Sequence, residues 1–467
     1  MITRARRSTA VVAVVGAAAL LALAALPGSA AAAGPEPATT TPIKNFVFLL
    51  QRNHSFDNYF GTRPGVDGVP EGLCMPSQPG TSEPCVRPFN IGGKGIMDLD
   101  HTEETFRTQY NADMNGFVSA QNRKGRDGAL AMGYYDQRDL PYYWNVADEY
   151  VLFDRFFSST WLGALHNHVY AVTGTPGVTG PNDGIPAGGW GDLPTIFDRL
   201  EKKGISWKFY VERYDPSINF RTPVSETADY DRRAQVIRAP LLAYARYLDD
   251  LRLSSRIVDL DQYFEDAARG ELPAVSFIRP SVSSEQPPGS VQAGQRLVRS
   301  LVNELCRSPQ WPTSAFIWSY DHSGGWYDHV RPPQVDQYGY GPRVPALLVS
   351  PYARRGFVDH ENHDLTSILK FIEVNWGLQP LASRDAAAGA MLEAFDFQAG
   401  PRPATLLSTD RQPAIVQPPR TGYVYLGYAL ACLFAGALFV LPAAVSSARR
   451  RYLTRRHPVP GAELRHD

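Results

Sequence analysis

Residues 43–62, with the sequence IKNFVFLLQRNHSFDNYFGT, contain an apolar run that stops abruptly at a polar cluster. The run covers residues 45–50, and Gln51, Arg52 and Asn53 follow it directly. A short apolar run bounded by a turn signal predicts a buried strand. Arg52 and Asn53 are therefore expected at the end of a strand in the core of the protein.

The same pattern recurs further along the chain, with helical patterns between the strands. Apolar runs that end at polar or turn residues occupy residues 205–211, 274–278, 315–320 and 344–349. Residues 295–306 carry leucines and valines on one helical face, and Asp364 can cap another helix. Strands that alternate with helices predict an α/β domain with a mainly parallel sheet and helices on both faces. In such sheets, functional side chains collect at the carboxyl ends of the strands.

The amino-terminal residues have the pattern of a secretory signal peptide. Several arginines precede an apolar run at residues 10–26, and residues 27–33 combine a helix-breaking Pro-Gly-Ser with small alanines. This order predicts a signal peptide over residues 1–33, followed by a linker over residues 34–41. An uncleaved amino-terminal anchor is the alternative, because the apolar run is long for a signal peptide.

A second apolar run, at residues 422–445, contains no charged residue and is long enough to cross a bilayer core of about 30 Å. Tyrosines stand at its start and arginines follow its end, so the positive-inside rule places the tail, residues 446–467, in the cytosol. Residues 42–398 then form an extracytoplasmic domain, and the proline-rich residues 399–421 form a stalk. The sequence thus predicts a protein of the cell membrane, anchored once, with its main domain outside the cytoplasm.

Composition and cysteine content limit the possible functions. The formal net charge is −1, and the arginines at the two ends of the chain conceal an acidic central part. Because a nucleic-acid partner requires a basic surface, this balance argues against one. Cys74 and Cys85 lie in a loop rich in proline, glycine and serine and are the expected disulfide pair. Cys306, on the apolar face of a helix, is expected to be a buried free thiol.

Five segments carry long motifs: residues 43–62, residues 154–159 with the nearby Asn167, residues 320–330, residues 343–351 and residues 366–373. These motifs resemble, in the same order, the signatures of the bacterial phosphoesterase family. That family contains non-specific phospholipases C and certain acid phosphatases. The resemblance spans residues 42–378 and implies a fold similar to that of alkaline phosphatases and sulfatases.

The resemblance also implies a particular chemistry, and this chain departs from it at three positions. In the family, a Ser or Thr hydroxyl attacks the phosphate ester and is activated by a cation that carboxylates hold. Asn53 matches the family's Asn, but Arg52 replaces the Glu before it. Asp321 matches the first residue of an acidic pair, but His322 replaces the second. Ala164 stands at the position of the nucleophile.

The candidate site follows from these matches. No residue is predicted to be catalytic with the family mechanism, because the nucleophile position is Ala164. The predicted pocket residues are Arg52, Asn53, His54, Ala164, Asn167, His168, Asp321 and His322. No cofactor is expected, and the alternative is a divalent metal, for which Asn53, His101, Asp321 and His322 are the candidate ligands. Zinc would be the metal if His322 is a ligand, because imidazole suits zinc better than magnesium or calcium.

Three functions remain open. The first is a catalytically impaired phosphoesterase that binds a phosphate, a phosphoester or a phospholipid headgroup. The second is an active hydrolase with a rewired metal centre of histidine and aspartate. The third is a structural or partner-binding domain of the cell envelope. Arg52 facing Asn53 would favour the first, because a guanidinium binds phosphate bidentately. A cluster of His322 with other imidazoles near Asp321 would favour the second, and Arg52 locked in a salt bridge to Asp321 would favour the third.

Overall fold

The apolar run after Lys44 forms the central strand of the sheet. In the computed structural model this strand covers Asn45–Gln51, and all of its residues are buried. It pairs in parallel with Val275–Arg279 on one side and with Ser314–Tyr320 on the other. The prediction that Arg52 and Asn53 follow a core strand is confirmed.

The described part of the chain covers the predicted extracytoplasmic domain. It consists of residues 38–411, except residues 82–83, 94–95, 180–183, 224–229 and 288–289, together with residues 428–432. The predicted signal peptide (1–33), the cytosolic tail (446–467) and residues 412–421 of the stalk lie outside it. Of the predicted membrane span, only residues 428–432 are described, and they are helical. Within the described residues, no helix has both the length and the apolar character that a bilayer crossing requires.

The secondary structure of the described residues is as follows. The strands are β1 (Asn45–Gln51), β2 (Met75–Pro76), β3 (Cys85–Val86), β4 (Phe89–Asn90), β5 (Gly133–Tyr134), β6 (Val151–Phe153), β7 (Phe156–Phe157), β8 (Trp207–Val211), β9 (Ile257–Asp259), β10 (Val275–Arg279), β11 (Ser314–Tyr320), β12 (Ala346–Val349), β13 (Phe357–Asp359) and β14 (His363–Asp364). The α-helices are α1 (Phe56–Phe60), α2 (Glu103–Gln109), α3 (Phe117–Arg123), α4 (Pro141–Glu149), α5 (Ala164–Thr173), α6 (Ile196–Lys203), α7 (Tyr230–Arg238), α8 (Ala245–Asp249), α9 (Leu251–Ser254), α10 (Asp261–Arg269), α11 (Val291–Arg307), α12 (Leu365–Trp376) and α13 (Ser383–Ala387). Short 3₁₀ helices cover Gly128–Met132, Pro240–Ala243, Trp311–Thr313 and Leu392–Ala394.

Eight strands form one sheet in the order β13-β6-β12-β11-β1-β10-β8-β9. Its neighbouring strands are parallel, apart from β12, which runs antiparallel to both β11 and β6. The prediction of an α/β fold with a mainly parallel sheet is confirmed. The direction of β12 corrects one expected strand end. Ser350, which follows β12, donates a hydrogen bond to the carbonyl of Ser314 at the start of β11, so it lies at the edge opposite to Asn53.

Helices cover both faces of the sheet, as predicted. Successive side chains of a strand point to opposite faces, and the register of β1 with β11 places Phe46 and Trp318 on different ones. On the first face, Phe46 stacks on Phe371 of α12 with 4.7 Å between the ring centroids. On the second face, Trp318 contacts Tyr143 of α4 at 5.5 Å. These buried aromatic contacts fix the helices on a sheet whose carboxyl edge carries Arg52 and Asp321.

Two local predictions about cysteine are also confirmed. Cys74 and Cys85 form a disulfide, with 5.5 Å between their Cα atoms. The bridge joins β2 and β3, which pair antiparallel next to it. Cys306 is a buried free thiol at the end of α11.

The start of the predicted stalk belongs to the folded domain instead. Arg402 donates hydrogen bonds to Glu149 and to the carbonyl of Ala353, at 2.9 and 3.0 Å, and its guanidinium lies over the ring of Tyr150. Trp311 donates to the carbonyl of Arg402 at 2.9 Å. Proline content predicts an extended backbone but does not predict side-chain partners, and here those partners hold Arg402 on the domain.

A carboxyl pair beside α12 makes stability depend on pH. Glu373 is 2% exposed and faces the buried Asp385. Burial, reinforced by the Asp385 carboxylate, raises the pKa of Glu373 to about 9. The folded state therefore keeps a proton that the unfolded chain releases near its ordinary pKa of about 4.3. This group stabilises the fold fully below that value, and the stabilisation is lost as the pH rises towards 9.

We expect the Glu373→Gln variant to unfold at a higher temperature than the wild type at about pH 8, with a smaller difference at about pH 5. The amide cannot ionise, so it removes the cost of protonating this buried group. Thermal unfolding of the full chain, followed by tryptophan fluorescence across this pH range, measures the difference. Glu361→Gln, at an exposed position, is the control and should leave the profile unchanged. Superimposable pH profiles for Glu373→Gln and the wild type would contradict the prediction.

Candidate functional site

The ends of β1 and β11 bring the central residues of the candidate site together. The Asp321 carboxylate accepts hydrogen bonds through Oδ1 from the backbone N–H groups of Asn53, at 3.1 Å, and His322, at 2.9 Å. Asn53 has a φ of 66°, in the left-handed region that Asn tolerates better than most residues. Gly324 packs against it so closely that a Cβ would lie 2.3 Å from the Asn53 carbonyl oxygen. The turn therefore requires glycine at this position.

Arg52 lies against Asp321, as its position after β1 predicts. Its Nε donates to Oδ2 of Asp321 at 3.3 Å, and the two side chains are 5% and 0% exposed. Within the described residues this is the only hydrogen bond of the Arg52 side chain, so the N–H groups of Nη1 and Nη2 have no acceptor there. Burial alone would raise the pKa of Asp321, but His322, His168 and Arg52 together hold it well below its ordinary value. Asp321 is therefore ionised at any physiological pH.

Two histidines complete this group, which we call the Asp321 cluster: Arg52, Asn53, His168, Asp321 and His322. Nε2 of His168 lies 3.5 Å from Oδ2 of Asp321, and Nε2 of His322 lies 3.8 Å from it. Burial lowers the pKa of His168 to about 4 and that of His322 to about 3. Both rings are therefore neutral near pH 7, which leaves Arg52 as the cation of the cluster.

Several buried polar atoms of the Asp321 cluster have no hydrogen-bond partner among the described residues. They are both ring nitrogens of His168, Nε2 of His322, and both Oδ1 and Nδ2 of Asn53. Buried polar atoms are normally paired, so such a concentration in one place requires an explanation. Two of them, Nδ2 of Asn53 and Nε2 of His322, are donors that a bound oxyanion would satisfy, since Nδ1 of His322 already accepts from the N–H of Gly324.

His101 forms the partly exposed side of the cluster. Its ring centroid lies 5.0 Å from that of His322, and its side chain is 24% exposed. Residues 98–101 are held there by Gln286, which donates to Asp98 at 2.8 Å. His101, one of the candidate metal ligands, therefore lies beside the Asp321 cluster.

The residues do not fit the divalent metal of the family. Arg52 puts a positive charge 3.3 Å from Asp321, where the family has a carboxylate ligand. Within the described residues, the one group of three His, Cys, Asp or Glu whose ligand atoms all lie within 4.8 Å is Asp57, Asp328 and His329. The ligand atoms of the four metal candidates are therefore not all within 4.8 Å of one another; these candidates are Asn53, His101, Asp321 and His322. The Asp57 group already has a cation, because Arg343 donates to Asp57 at 2.9 Å and to Asp328 at 3.1 Å.

Ala164 and Asn167 build the start of α5 beside the cluster. Asn167 holds the preceding turn, since its amide donates to the carbonyls of Thr160 and Gly163 at 2.9 and 3.0 Å. Ala164 is one helical turn before His168, so both lie on the same face of α5. The position that the family resemblance assigns to the nucleophile therefore shares a helix face with His168 and carries only a methyl group.

His54 differs from the other predicted pocket residues because both of its ring nitrogens are engaged. Nδ1 lies 2.7 Å from Oδ1 of Asn58, and Nε2 lies 3.1 Å from the carbonyl of Glu285. The ring also stacks on Tyr59, with 4.4 Å between centroids. His54 therefore supports the turn after β1 and offers no free nitrogen to a ligand.

Arg279, the last residue of β10, is not among the residues predicted for the pocket. Its side chain is fully buried, and its Nε and Nη2 have no partner among the described residues. Asp321 is the carboxylate that influences its pKa. The only signal in the sequence is its position after an apolar run, which many surface arginines share.

A comparison with known families decides the identity of the domain. A model of the phosphoesterase family matches residues 43–379. The chain belongs to the phosphoesterase family. The resemblance of its motifs is thereby confirmed, and every residue of the Asp321 cluster lies within the matched region.

Its relatives in the phosphoesterase family include several phospholipases C. Phospholipase C B of Mycobacterium tuberculosis is 28% identical over 440 residues, which cover 80% of this chain and 81% of that protein. Non-specific phospholipase C3 of Arabidopsis thaliana is 27% identical over 367 residues, covering 69% and 66%. Among solved structures, a protein in the alkaline phosphatase superfamily from Vibrio parahaemolyticus aligns with 73% of this chain and 68% of its own, at 13% identity and a TM-score of 0.36.

Proposed function

We propose that this phosphoesterase domain binds a phosphate-containing anion at the Asp321 cluster and does not hydrolyse it by the mechanism of its family. The observation that carries the proposal is that Arg52 contacts Asp321 through Nε alone, at 3.3 Å, while its Nη1 and Nη2 have no hydrogen-bond partner among the described residues. Arg52 stands where the family has a metal-binding carboxylate. A guanidinium is a strong partner for phosphate oxygens.

Charge explains why the metal-dependent reaction is disfavoured. A dication about 4 Å from a guanidinium is repelled by several kcal/mol at the effective dielectric of a partly buried site. Ala164 offers no oxygen that could attack phosphorus, so covalent catalysis is lost as well. The proposal therefore combines a loss of hydrolysis with a gain of anion binding at the same place.

The other two functions have weaker support. A rewired metal centre is favoured by the Nε2 atoms of His168 and His322, which both lie within 4 Å of Asp321. Nδ1 of His322 accepts a hydrogen bond from the backbone N–H of Gly324, however, so the neutral ring carries its proton on Nε2 and offers no lone pair there. The two Nε2 atoms do not converge with Asp321 into a three-ligand group. A structural domain is favoured by the salt bridge of Arg52 to Asp321. Against it, Nη1 and Nη2 of Arg52 have no hydrogen-bond acceptor among the described residues.

We further propose that the domain works outside the cytoplasmic membrane, held by residues 422–445. The support is the charge-free run with arginines after it, and the Cys74–Cys85 disulfide, which suits an oxidising compartment. A cysteine placed at Thr454 should then be inaccessible to a membrane-impermeant thiol reagent added outside intact cells. Labelling of that cysteine from outside would contradict this orientation.

The binding proposal is tested on the purified full chain in detergent. We expect millimolar phosphate to raise the unfolding temperature, because a ligand that prefers the folded state stabilises it by mass action. We expect hydrolysis of a chromogenic phosphodiester at background. The matched variant Arg52→Gln should lose the phosphate effect while it still folds. Turnover that is lost on His322→Ala would instead establish the rewired metal centre, and the absence of any anion effect would overturn the proposal.

A further inference from the structure

Arg279 lies on the same face of the sheet as the Asp321 cluster. The register of β1 with β10 pairs Leu49 with Ile278, so Arg279 stands beside Leu50, two residues before Arg52 on the neighbouring strand. The register of β1 with β11, continued by one residue, places Arg52 beside Asp321. Since side chains alternate between faces, Arg52, Arg279 and Asp321 project from one face at one edge of the sheet.

The surroundings of Arg279 do not satisfy its guanidinium. Nη1 donates to the carbonyl of Ile278 at 3.0 Å, while Nε and Nη2 have no partner among the described residues. The guanidinium carbon lies 5.3 Å from the ring centroid of Phe48, 5.2 Å from that of Phe209 and 5.4 Å from that of Phe277. The faces of these rings attract the charge but accept no conventional hydrogen bond. A buried arginine with unsatisfied hydrogen-bond donors destabilises the folded state unless a ligand accepts from those donors.

Asp321 does not have enough acceptor positions to bind the guanidinium groups of both Arg52 and Arg279. Its Oδ1 accepts from the backbone N–H groups of Asn53 and His322, and its Oδ2 accepts from Arg52. Burial lowers the pKa of Arg279 to about 9, with Asp321 acting against the shift, so this arginine is still charged near pH 7. Two guanidinium groups therefore share one carboxylate, and the neutral histidines add no charge. The buried group carries one positive charge in excess.

We propose that Arg279 is the second guanidinium of the ligand site and that the site selects a tetrahedral oxyanion with a single negative charge. This inference rests on the proposed anion-binding function and names its ligand class. The two arginines and Asp321 together carry a net charge of +1, and a ligand with one negative charge neutralises it. Sulfate esters and phosphodiesters carry one such charge and have unsubstituted oxygens for both arginines. A phosphomonoester near pH 8 carries close to two charges and leaves the buried group negative.

The ligand class is tested by isothermal titration of the full chain in detergent at about pH 8, where a phosphomonoester is doubly charged. The singly charged probes are methyl sulfate and dimethyl phosphate, and the doubly charged probe is methyl phosphate. We expect the singly charged probes to bind at least about tenfold more tightly. Equal or tighter binding of methyl phosphate would overturn the charge selection.

The role of Arg279 is tested with Arg279→Met, which removes the charge at similar length. We expect dimethyl phosphate to bind at least about tenfold more weakly to this variant. Without a ligand, the variant should unfold at the same temperature as the wild type or higher, because it loses an unsatisfied buried charge. Arg221→Met, which removes an exposed partner of Asp249, is the control for charge loss and should bind normally.

The outcomes separate this inference from the proposed function. Wild-type binding that survives unchanged in Arg279→Met overturns the role of Arg279 and leaves the binding function intact. Strong destabilisation of ligand-free Arg279→Met would likewise overturn it, since a structural arginine behaves in that way. If no anion binds the wild type, both fail. Glycerophosphoglycerol and dihexanoyl phosphatidylglycerol contain the same phosphodiester, the first in a soluble ester and the second in a lipid headgroup. Equal binding of the two supports the proposal with a soluble ester as the ligand. Tighter binding of the second supports it with a lipid headgroup as the ligand.

Discussion

Replacing Arg343 with methionine is expected to lower the free energy of unfolding by about 3–5 kcal/mol, or to prevent folding. Arg343 is fully buried and donates to Asp57 at 2.9 Å and to Asp328 at 3.1 Å. It also donates to the backbone carbonyls of Asp67 and Asp154, both at 2.8 Å. Without the guanidinium, two buried carboxylates face each other and the carbonyls lose their donor. Urea unfolding of the full chain, followed by tryptophan fluorescence, measures the loss.

The control for Arg343→Met is a surface arginine in a comparable ion pair. Arg355 pairs with Glu149 at 2.8 Å, but its side chain is 74% exposed. Solvent screens such pairs, so Arg355→Met should cost less than about 1 kcal/mol. Losses of similar size in the two variants would show that burial of the Arg343 network contributes little.

The second large effect is expected from Arg52→Glu, which restores the acidic residue of the family at that position. In this chain the change places a second carboxylate against the buried Asp321 and removes its cation. We expect a loss of about 3–5 kcal/mol in the free energy of unfolding, measured by urea unfolding in buffer with a chelator. Arg52→Gln, which removes the charge without adding repulsion, should lose less. An Arg52→Glu variant as stable as the wild type would contradict the pairing on which the site is built.

Metal binding distinguishes the single variant Arg52→Glu from a variant that restores all three residues of the family. We expect a divalent metal to recover little of the stability of Arg52→Glu, because His322 and Ala164 still differ from the family. The combination of Arg52→Glu, Ala164→Thr and His322→Glu should bind a divalent metal and regain weak esterase activity. The metal-dependent rise in unfolding temperature is the readout. If Arg52→Glu alone shows the full rise, then Arg52 by itself excludes the metal.

The candidate site could be predicted largely because its residues follow buried strands directly. Arg52 and Asp321 come after the two most central apolar runs, and parallel neighbours place their carboxyl ends at one edge. The contact of Arg52 with Asp321 is therefore one of the arrangements that the sequence leaves open. The role of His54 is not predictable in this way, because its ring orientation depends on Asn58 and on Glu285, which lies 231 positions away in the chain.

The sequence by itself determined five strands of the eight-stranded sheet, the disulfide and the family, since each is encoded in short runs of residues or in motifs. Only the tertiary structure decided the direction of β12, the docking of Arg402 and the isolation of Arg279. An apolar run has the same pattern in either direction, and Arg402 meets Glu149 across 253 positions of sequence. Whether a buried guanidinium has partners depends on every element packed around it. Local pattern therefore fixes which residues are buried, whereas packing fixes which buried charges remain free to bind.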